Sequence, residues 1–113
     1  EMGAFVITKR ENGQYRFNYT SRKGKIILTG ASHNQKVGCV RDIQMLKLYH
    51  ADTLFLKFKT PGGKYFFRVV IQDHIYATSR KFTTELRIAK GIEEIQRNVE
   101  IAEVLDFSVE IFF

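Results

Sequence analysis

Apolar and polar residues alternate along several short stretches of the chain. Tyr15, Phe17 and Tyr19 lie on one side of an extended segment, and the polar residues between them lie on the other. This period of two predicts a strand with one buried face. The same alternation returns at Tyr65 and Phe67, so a second strand of this kind is expected there.

Two later stretches have the spacing of amphipathic helices. Their apolar residues recur at steps of three or four, which places them on one helical face: Val37, Val40, Ile43 and Leu46 in the first stretch, and Leu86, Ile88, Ala89, Ile92 and Ile95 in the second. Glu93 and Glu94 are adjacent in the second stretch and are interpreted as part of its solvated face.

The chain repeats itself at an offset of about fifty residues. The stretch NGQYRF, Asn12 to Phe17, has a counterpart in GGKYFF, Gly62 to Phe67. Ile43 and Leu46 likewise match Ile92 and Ile95. Repeats of this length indicate a duplicated structural unit. Each unit reads strand, strand, strand, helix, and a glycine-containing turn joins its first two strands.

The repeat predicts one α+β domain over residues 1–113. Repeat one spans 4–52, repeat two spans 53–103, and a C-terminal strand covers 104–113. One unit buries too little apolar area to be stable alone, so the two are expected to share one antiparallel sheet with both helices packed on one face. Leu54, Leu56 and Phe58 alternate out of phase with Phe5 and Ile7, which indicates either a bulge or a strand covered on both faces.

Several sequence segments resemble those of the YegP-like family of small bacterial proteins, a family named for having no known function. The resemblance extends from Phe5 to about Asn98 and rests on segments 12–17, 24–29, 63–67 and 89–98. It implies two motifs of three strands and a helix that form one sheet. Unit one departs from the pattern, because His33 and Asp42 stand where unit two has Phe82 and Gly91. The resemblance implies no catalytic residues.

The amino-acid composition bears on the cellular location of the protein. The single cysteine, Cys39, allows no intramolecular disulfide, which favours a reducing, cytoplasmic location. No apolar run is long enough for a membrane helix, and no signal-peptide pattern begins the chain. We therefore expect no membrane partner.

The residues that carry chemistry form no recognisable motif. His33, His50 and His74 lack metal-ligand spacing to one another and to Cys39. Cys39 lies on the apolar side of the first helix, where a buried thiol is the ordinary interpretation. The sequence thus predicts that the protein has no metal site, no cofactor and no enzymatic activity.

The net charge of +6 is concentrated in the first half of the chain. Residues 1–52 carry nine Lys or Arg against four acids. Basic groups on turns and on a polar strand face contact phosphates in other proteins. The candidate polyanion-contacting residues are Lys9, Arg10, Arg16, Arg22, Lys23, Lys25 and Arg68.

Two functions remain open from the sequence. The first is a small non-catalytic binding or interaction module with an unidentified ligand. In this interpretation the basic face is solvated and has no binding role. The alternative is weak, sequence-tolerant nucleic-acid binding through the basic surface of repeat one. The sheet edges suggest self-association or capture of an extended peptide as a further hypothesis.

Overall fold

The protein is an α+β domain built from one seven-stranded sheet and two helices. The computed structural model describes residues 3–109. The elements in chain order are β1 (Ala4–Lys9), β2 (Tyr15–Thr20), β3 (Ile26–Gly30), α1 (Lys36–Leu48), a short 3-10 helix (His50–Asp52), β4 (Leu54–Lys59), β5 (Tyr65–Ile71), β6 (His74–Ser79), α2 (Glu85–Asn98) and β7 (Glu103–Asp106).

The sheet is mixed, so the prediction of a purely antiparallel sheet is wrong. Its strand order is β4-β5-β6-β3-β2-β1-β7. All neighbouring strands are antiparallel except β1 and β7, which run parallel with Ala4 opposite Glu103 and Ile7 opposite Asp106. Within residues 3–109, the two edges of the sheet are therefore β4 and β7.

The path of α2 explains the parallel pair. The helix begins just after the bridge between Tyr65 and Phe82, at the start of β5, and β7 begins beside Ala4, at the start of β1. Its 14 residues span about 21 Å, close to the width of about 19 Å from β5 to β1. The helix thus crosses the sheet from β5 to β1 at the end where both strands begin. Strand β7 therefore starts beside the start of β1 and runs parallel to it.

The hydrophobic core lies on one face of the sheet. Phe5, Ile7, Phe17 and Tyr19 are fully or almost fully buried there, as the alternation predicted for Phe17 and Tyr19. Buried residues of both helices belong to the same cluster: Cys39, Ile43 and Leu46 from α1, and Ile88, Ile92 and Ile95 from α2. We call this the helix face and the opposite side the uncovered face.

Three residues assigned to the apolar helix faces are exposed instead: Val37, Leu86 and Ala89. Val37 and Leu86 each lie two positions before a buried residue, Cys39 and Ile88. Two residues correspond to a rotation of about 200° around a helix. These two side chains therefore point away from the sheet.

The structure of β4 explains why its leucines alternate out of phase with Phe5 and Ile7, and neither expected explanation is correct. It pairs with β5 without a register shift, so no bulge is present. Phe55, the counterpart of Phe5, packs towards the core, whereas Leu54, Leu56 and Phe58 occupy the alternate positions and remain exposed. Strand β4 is covered on one face only.

The predicted C-terminal strand is shorter than expected within the described residues. It covers Glu103–Asp106, after which the Phe107 amide donates one further hydrogen bond of 2.9 Å to the Ile7 carbonyl. Residues 110–113 of the prediction lie outside the described residues. Strand β7 itself is held chiefly by β1 and by side chains of α1.

Candidate functional site

The predicted basic residues do not form one surface. The turns before and after β2 lie at its opposite ends, about 17 Å apart for a strand of this length. Lys9 and Arg10 lie at the first turn with Arg16, whereas Arg22, Lys23 and Lys25 belong to the second. Arg68 lies on β5, which is three strand spacings, or about 14 Å, from β2.

The first group lines a polar pocket at the β1–β2 hairpin, which we call the hairpin pocket. It encloses about 530 Å³. The Arg16 side chain contributes a buried Nε that has no hydrogen-bond partner among the described residues. Arg10 donates through Nη1 to the Ser32 hydroxyl at 2.6 Å. The lining residues are Thr8, Lys9, Arg10, Glu11, Asn12 and Arg16.

Lys25 lines a different pocket, between the two halves of the sheet, which we call the junction pocket. It encloses about 230 Å³, and Arg22 and Lys23 do not line it. Its walls are Lys25, Arg80, Lys81, Phe82, Thr83 and Arg87. Sequence reasoning missed the three cations from the second half, because the basic residues were grouped along the chain and not across the pairing of β3 with β6.

Arg68 lies on the uncovered face among aromatic rings. Its guanidinium carbon is 5.2 Å from the centre of the Phe58 ring and 5.7 Å from that of Phe66, and the two rings stack at 5.0 Å. Such contacts between a cation and an aromatic face are favourable. Arg68 therefore packs against an apolar surface and is not part of a basic cluster.

That apolar surface follows the open edge of the sheet, and we call it the apolar ladder. It consists of Leu54, Leu56 and Phe58 on β4 and Phe66 on β5, with Arg68 above two of them. The three β4 side chains are 59%, 42% and 37% exposed in that order. Natural edge strands are usually protected by charge, and Lys57 and Lys59 on β4 are of this kind, but the ladder itself is uncharged apart from Arg68.

His33 and Asp42, the departures of unit one, contact each other. His33 Nε2 lies 2.7 Å from an Asp42 carboxylate oxygen. Phe82, which the sequence alignment of the two halves matches with His33, packs on Gly91, where an added Cβ would approach the Phe82 ring to 2.9 Å. A polar pair in one half thus takes the place of an aromatic ring against glycine in the other.

A second polar contact, which is partly buried, lies between β2 and α2. The Tyr19 hydroxyl donates to a Glu94 carboxylate oxygen at 3.1 Å, and the Asn98 amide donates to the same oxygen at 2.7 Å. Burial raises the pKa of Tyr19, and the Glu94 charge raises it further. The interpretation of Glu94 as solvated is therefore wrong, whereas Glu93 is exposed and pairs with Arg97.

Cys39 has the properties of a structural thiol. It is fully buried, and burial, together with the charge of Asp42, raises its pKa to about 11. A nucleophilic cysteine needs the opposite shift, because the thiolate is the reactive form. Within residues 3–109, no group of three or more His, Cys, Asp or Glu side chains has an arrangement that could hold a metal ion.

Sequence comparison finds relatives along almost the whole chain. A UPF0339 protein encoded in the 5′ region of the ptx operon of Stutzerimonas stutzeri is 26% identical over 106 residues, which are 92% of this chain and 96% of the relative. The chain's relatives are UPF0339 proteins. They include the UPF0339 protein YegP of Yersinia pestis, 24% identical over 86% of this chain and 88% of its own. No protein-family model matches the chain.

Two solution NMR structures have the same fold. The protein of unknown function yegP from E. coli matches with a TM-score of 0.86 and 21% identity, over 97% of both chains. The UPF0339 protein SO3888 from Shewanella oneidensis matches with a TM-score of 0.89 and 20% identity, over 97% of this chain and 95% of its own. Separately, neither helix within residues 3–109 is long and apolar enough to cross a membrane.

Proposed function

We propose that the protein is a small non-catalytic binding module, a YegP-like protein in tandem-repeat form, that contacts its partner through the uncovered face of the sheet. The repeat is supported by equivalent isolated bridges, Tyr15 to His33 and Tyr65 to Phe82. It is also supported by the core-facing positions of Phe17 and Phe67, fifty residues apart. The duplication supplies a rigid platform, and the binding residues lie on its outer surface.

The apolar ladder is the observation that carries this proposal. Leu54, Leu56 and Phe58 lie on an edge strand, on the face opposite the helices, and remain exposed. Contiguous exposed apolar side chains beside unpaired strand edges mark interaction sites in soluble proteins. A partner that covered the ladder would remove apolar surface from water, at about 25 cal/mol per Å².

A comparison of co-purifying proteins tests the proposal. The tagged protein and a Leu54→Ser/Leu56→Ser variant are isolated from the same cells, with Val37→Ser as a control that removes an exposed apolar group elsewhere. We expect specific proteins to be retained by the parent and the control and lost from the ladder variant. Identical sets for all three proteins would refute binding through the ladder. Light scattering of the isolated protein distinguishes a second copy of the chain from a different partner.

The second candidate function is weak, sequence-tolerant nucleic-acid binding through repeat one. The observation that favours it is the hairpin pocket, where Lys9, Arg10 and Arg16 converge and the buried Arg16 Nε lacks a partner among the described residues. An orphaned guanidinium nitrogen is costly to bury, and a phosphate oxygen would satisfy it. The core positions of Phe17 and Tyr19 leave the phosphate contacts as the main source of affinity.

Fluorescence anisotropy with labelled single- and double-stranded oligonucleotides tests this candidate. Phosphate contacts predict an affinity that falls steeply between about 50 and 200 mM salt, with a shallower dependence for Arg16→Gln. Lys90→Gln, which removes one charge on the outside of α2, is the matched control. Absence of binding at low salt would exclude the candidate.

A further inference from the structure

The junction pocket brings Lys25 together with three cations from the second half of the chain. Lys25 precedes β3, Arg80 and Lys81 follow β6, and Arg87 lies in the first turn of α2. The pairing of β3 with β6 causes this convergence, since it continues in a hydrogen bond of 2.9 Å from the Arg80 amide to the Ile27 carbonyl. The pocket therefore depends on the central contact between the two halves of the sheet.

No acid neutralises these four side chains within the part of the chain that the structure describes. All six lining residues are cationic, aromatic or hydroxylic, and none of the four cations forms an ion pair with a carboxylate of residues 3–109. Glu85, the acid in the first turn of α2, lines a separate pocket with Lys57 and Tyr65. Four like charges at one pocket repel one another, and a bound anion would relieve that repulsion.

The donors in the pocket suit a tetrahedral oxyanion. Arginine offers a planar fork of N–H groups that matches phosphate, and lysine adds a compact charge. The Arg80 guanidinium carbon lies 5.1 Å from the centre of the Phe82 ring. This contact orients the fork, and Phe82 is itself buried, so its ring is not available for stacking. The start of α2 adds a weak positive potential of its own.

We propose that the junction pocket binds a phosphate group, as the dianionic end of a larger molecule. The predominantly polar and charged wall recognises the phosphate and leaves the rest of the molecule outside. A free nucleotide and the phosphorylated end of an oligonucleotide both carry this group. The junction pocket shares no residue with the apolar ladder or the hairpin pocket. A failure of phosphate binding at the junction pocket would therefore leave both proposed functions unaffected.

Titration with inorganic phosphate, followed by amide NMR at constant ionic strength, is the direct test. We expect shifts concentrated at residues 25, 80, 81 and 87, with much smaller shifts when chloride replaces phosphate. Arg87→Gln and Arg80→Gln should each weaken phosphate binding about tenfold, the effect of one lost charge-assisted hydrogen bond. Lys90→Gln, a charge loss elsewhere on α2, should change the affinity less than about twofold.

Further arms identify the source of the phosphate. Adenosine monophosphate is compared with adenosine, and a 5′-phosphorylated oligonucleotide with its unphosphorylated form, in the parent and in Arg87→Gln. A preference for the phosphorylated member of either pair, lost in Arg87→Gln, supports the site and names its source. Circular dichroism verifies that each variant is folded. The proposal is overturned if phosphate shifts none of the four residues, or if Lys90→Gln weakens binding as much as Arg87→Gln.

Discussion

Tyr19 combines a fully buried ring with a polar hydroxyl, and Glu94 satisfies that hydroxyl. The ring packs edge-on against Phe5, with 5.1 Å between centres, and the hydroxyl reaches α2 across the core. A buried hydroxyl without a partner would cost free energy. The contact therefore ties β2 of the first half to α2 of the second.

Tyr19→Phe should lower the free energy of unfolding by about 1–2 kcal/mol at neutral pH, because it removes one hydrogen bond to a charged acceptor. The raised pKa of Tyr19 in the fold also predicts a pH dependence. The unfolded chain loses the phenolic proton first, near pH ~10, so stability should fall as the pH rises above that value.

Chemical denaturation of the parent and of Tyr19→Phe between neutral pH and about pH 11 measures both effects. The variant should show a smaller decline in the alkaline range. Parallel declines in the two proteins would contradict the assignment to Tyr19.

Cys39 should be unreactive in the folded protein. Its thiol is buried and its pKa is raised to about 11, so both access and thiolate formation are suppressed. A colorimetric thiol reagent at pH ~8, a little below the ordinary thiol pKa, should label less than a tenth of the protein in the time that labels it fully in denaturant. Rapid labelling without denaturant would show that this region opens readily.

At the scale of elements, two lysines of α1 hold β7 in place. Lys47 donates through Nζ to the carbonyls of Val99 and Glu100, each at 3.2 Å, and to that of Ala102. Burial lowers the pKa of Lys47. Lys36 pairs with Asp106 at 2.8 Å, and this hydrogen bond, together with Ser108, lowers the pKa of Asp106 to about 2. Helix α1 thus fixes both ends of a strand that pairs with β1.

Lys47→Met should destabilise the protein by about 2 kcal/mol, since the carbonyls lose a charged donor. Amide hydrogen exchange should accelerate selectively in β7. Lys90→Met, an exposed lysine on α2, is the control and should change neither quantity appreciably. Uniform acceleration over the whole sheet would indicate a global effect in place of this local one.

The pair His33–Asp42 should be energetically coupled. Substitution with the residues of unit two, His33→Phe and Asp42→Gly, tests this, because glycine leaves room for an aromatic ring as it does at Phe82. We expect the double variant to be more stable than the sum of the single effects, by about 0.5–3 kcal/mol. Denaturation of the four proteins gives the coupling, and simple additivity would contradict it.

Much of the element structure was predictable because it depends on local patterns. Alternation identified the core side of β2 at Phe17 and Tyr19, and helical spacing identified α2, in which Ile88, Ile92 and Ile95 are buried. The direction of β7 was not predictable, since it depends on the route of α2 across the sheet. The proximity of Arg80 and Arg87 to Lys25 was not predictable either, because it depends on the pairing of β3 with β6.

Glu93 and Glu94 show where the local pattern fails within an element. Both are charged and adjacent, yet only Glu94 turns inwards, where Tyr19 and Asn98 provide donors. A carboxylate can be half-buried when such partners exist, and these partners come from residues 75 and 4 positions away. The contact with Tyr19, which lies in β2, leaves no signal in the spacing of one helix.

At the scale of the whole molecule, the two faces of the sheet differ in burial. The helix face holds the hydrophobic core of the described residues, and the uncovered face carries the apolar ladder and the hairpin pocket. Residues that serve binding and not folding should tolerate substitution. Stability measurements can therefore distinguish residues of the apolar ladder from residues of the core.

Leu54→Ser/Leu56→Ser should change the denaturation midpoint far less than a core substitution does, because the two side chains are already 59% and 42% exposed. Phe67→Ala, on the same sheet but in the core, should cost about 3–5 kcal/mol. Equilibrium unfolding in urea measures both. A large loss of stability in the ladder variant would indicate that the ladder is structural.

Parallel pairing of β1 with β7 also determines how the protein would respond to tension. Handles attached ahead of Ala4 and after Val109 would pull these adjacent strands lengthwise in opposite directions, since both strands run the same way. Their hydrogen bonds would then be loaded together, not one after another. Force spectroscopy should therefore find a high rupture force in this direction, and a lower one when the handles are placed in the β2–β3 and β4–β5 turns.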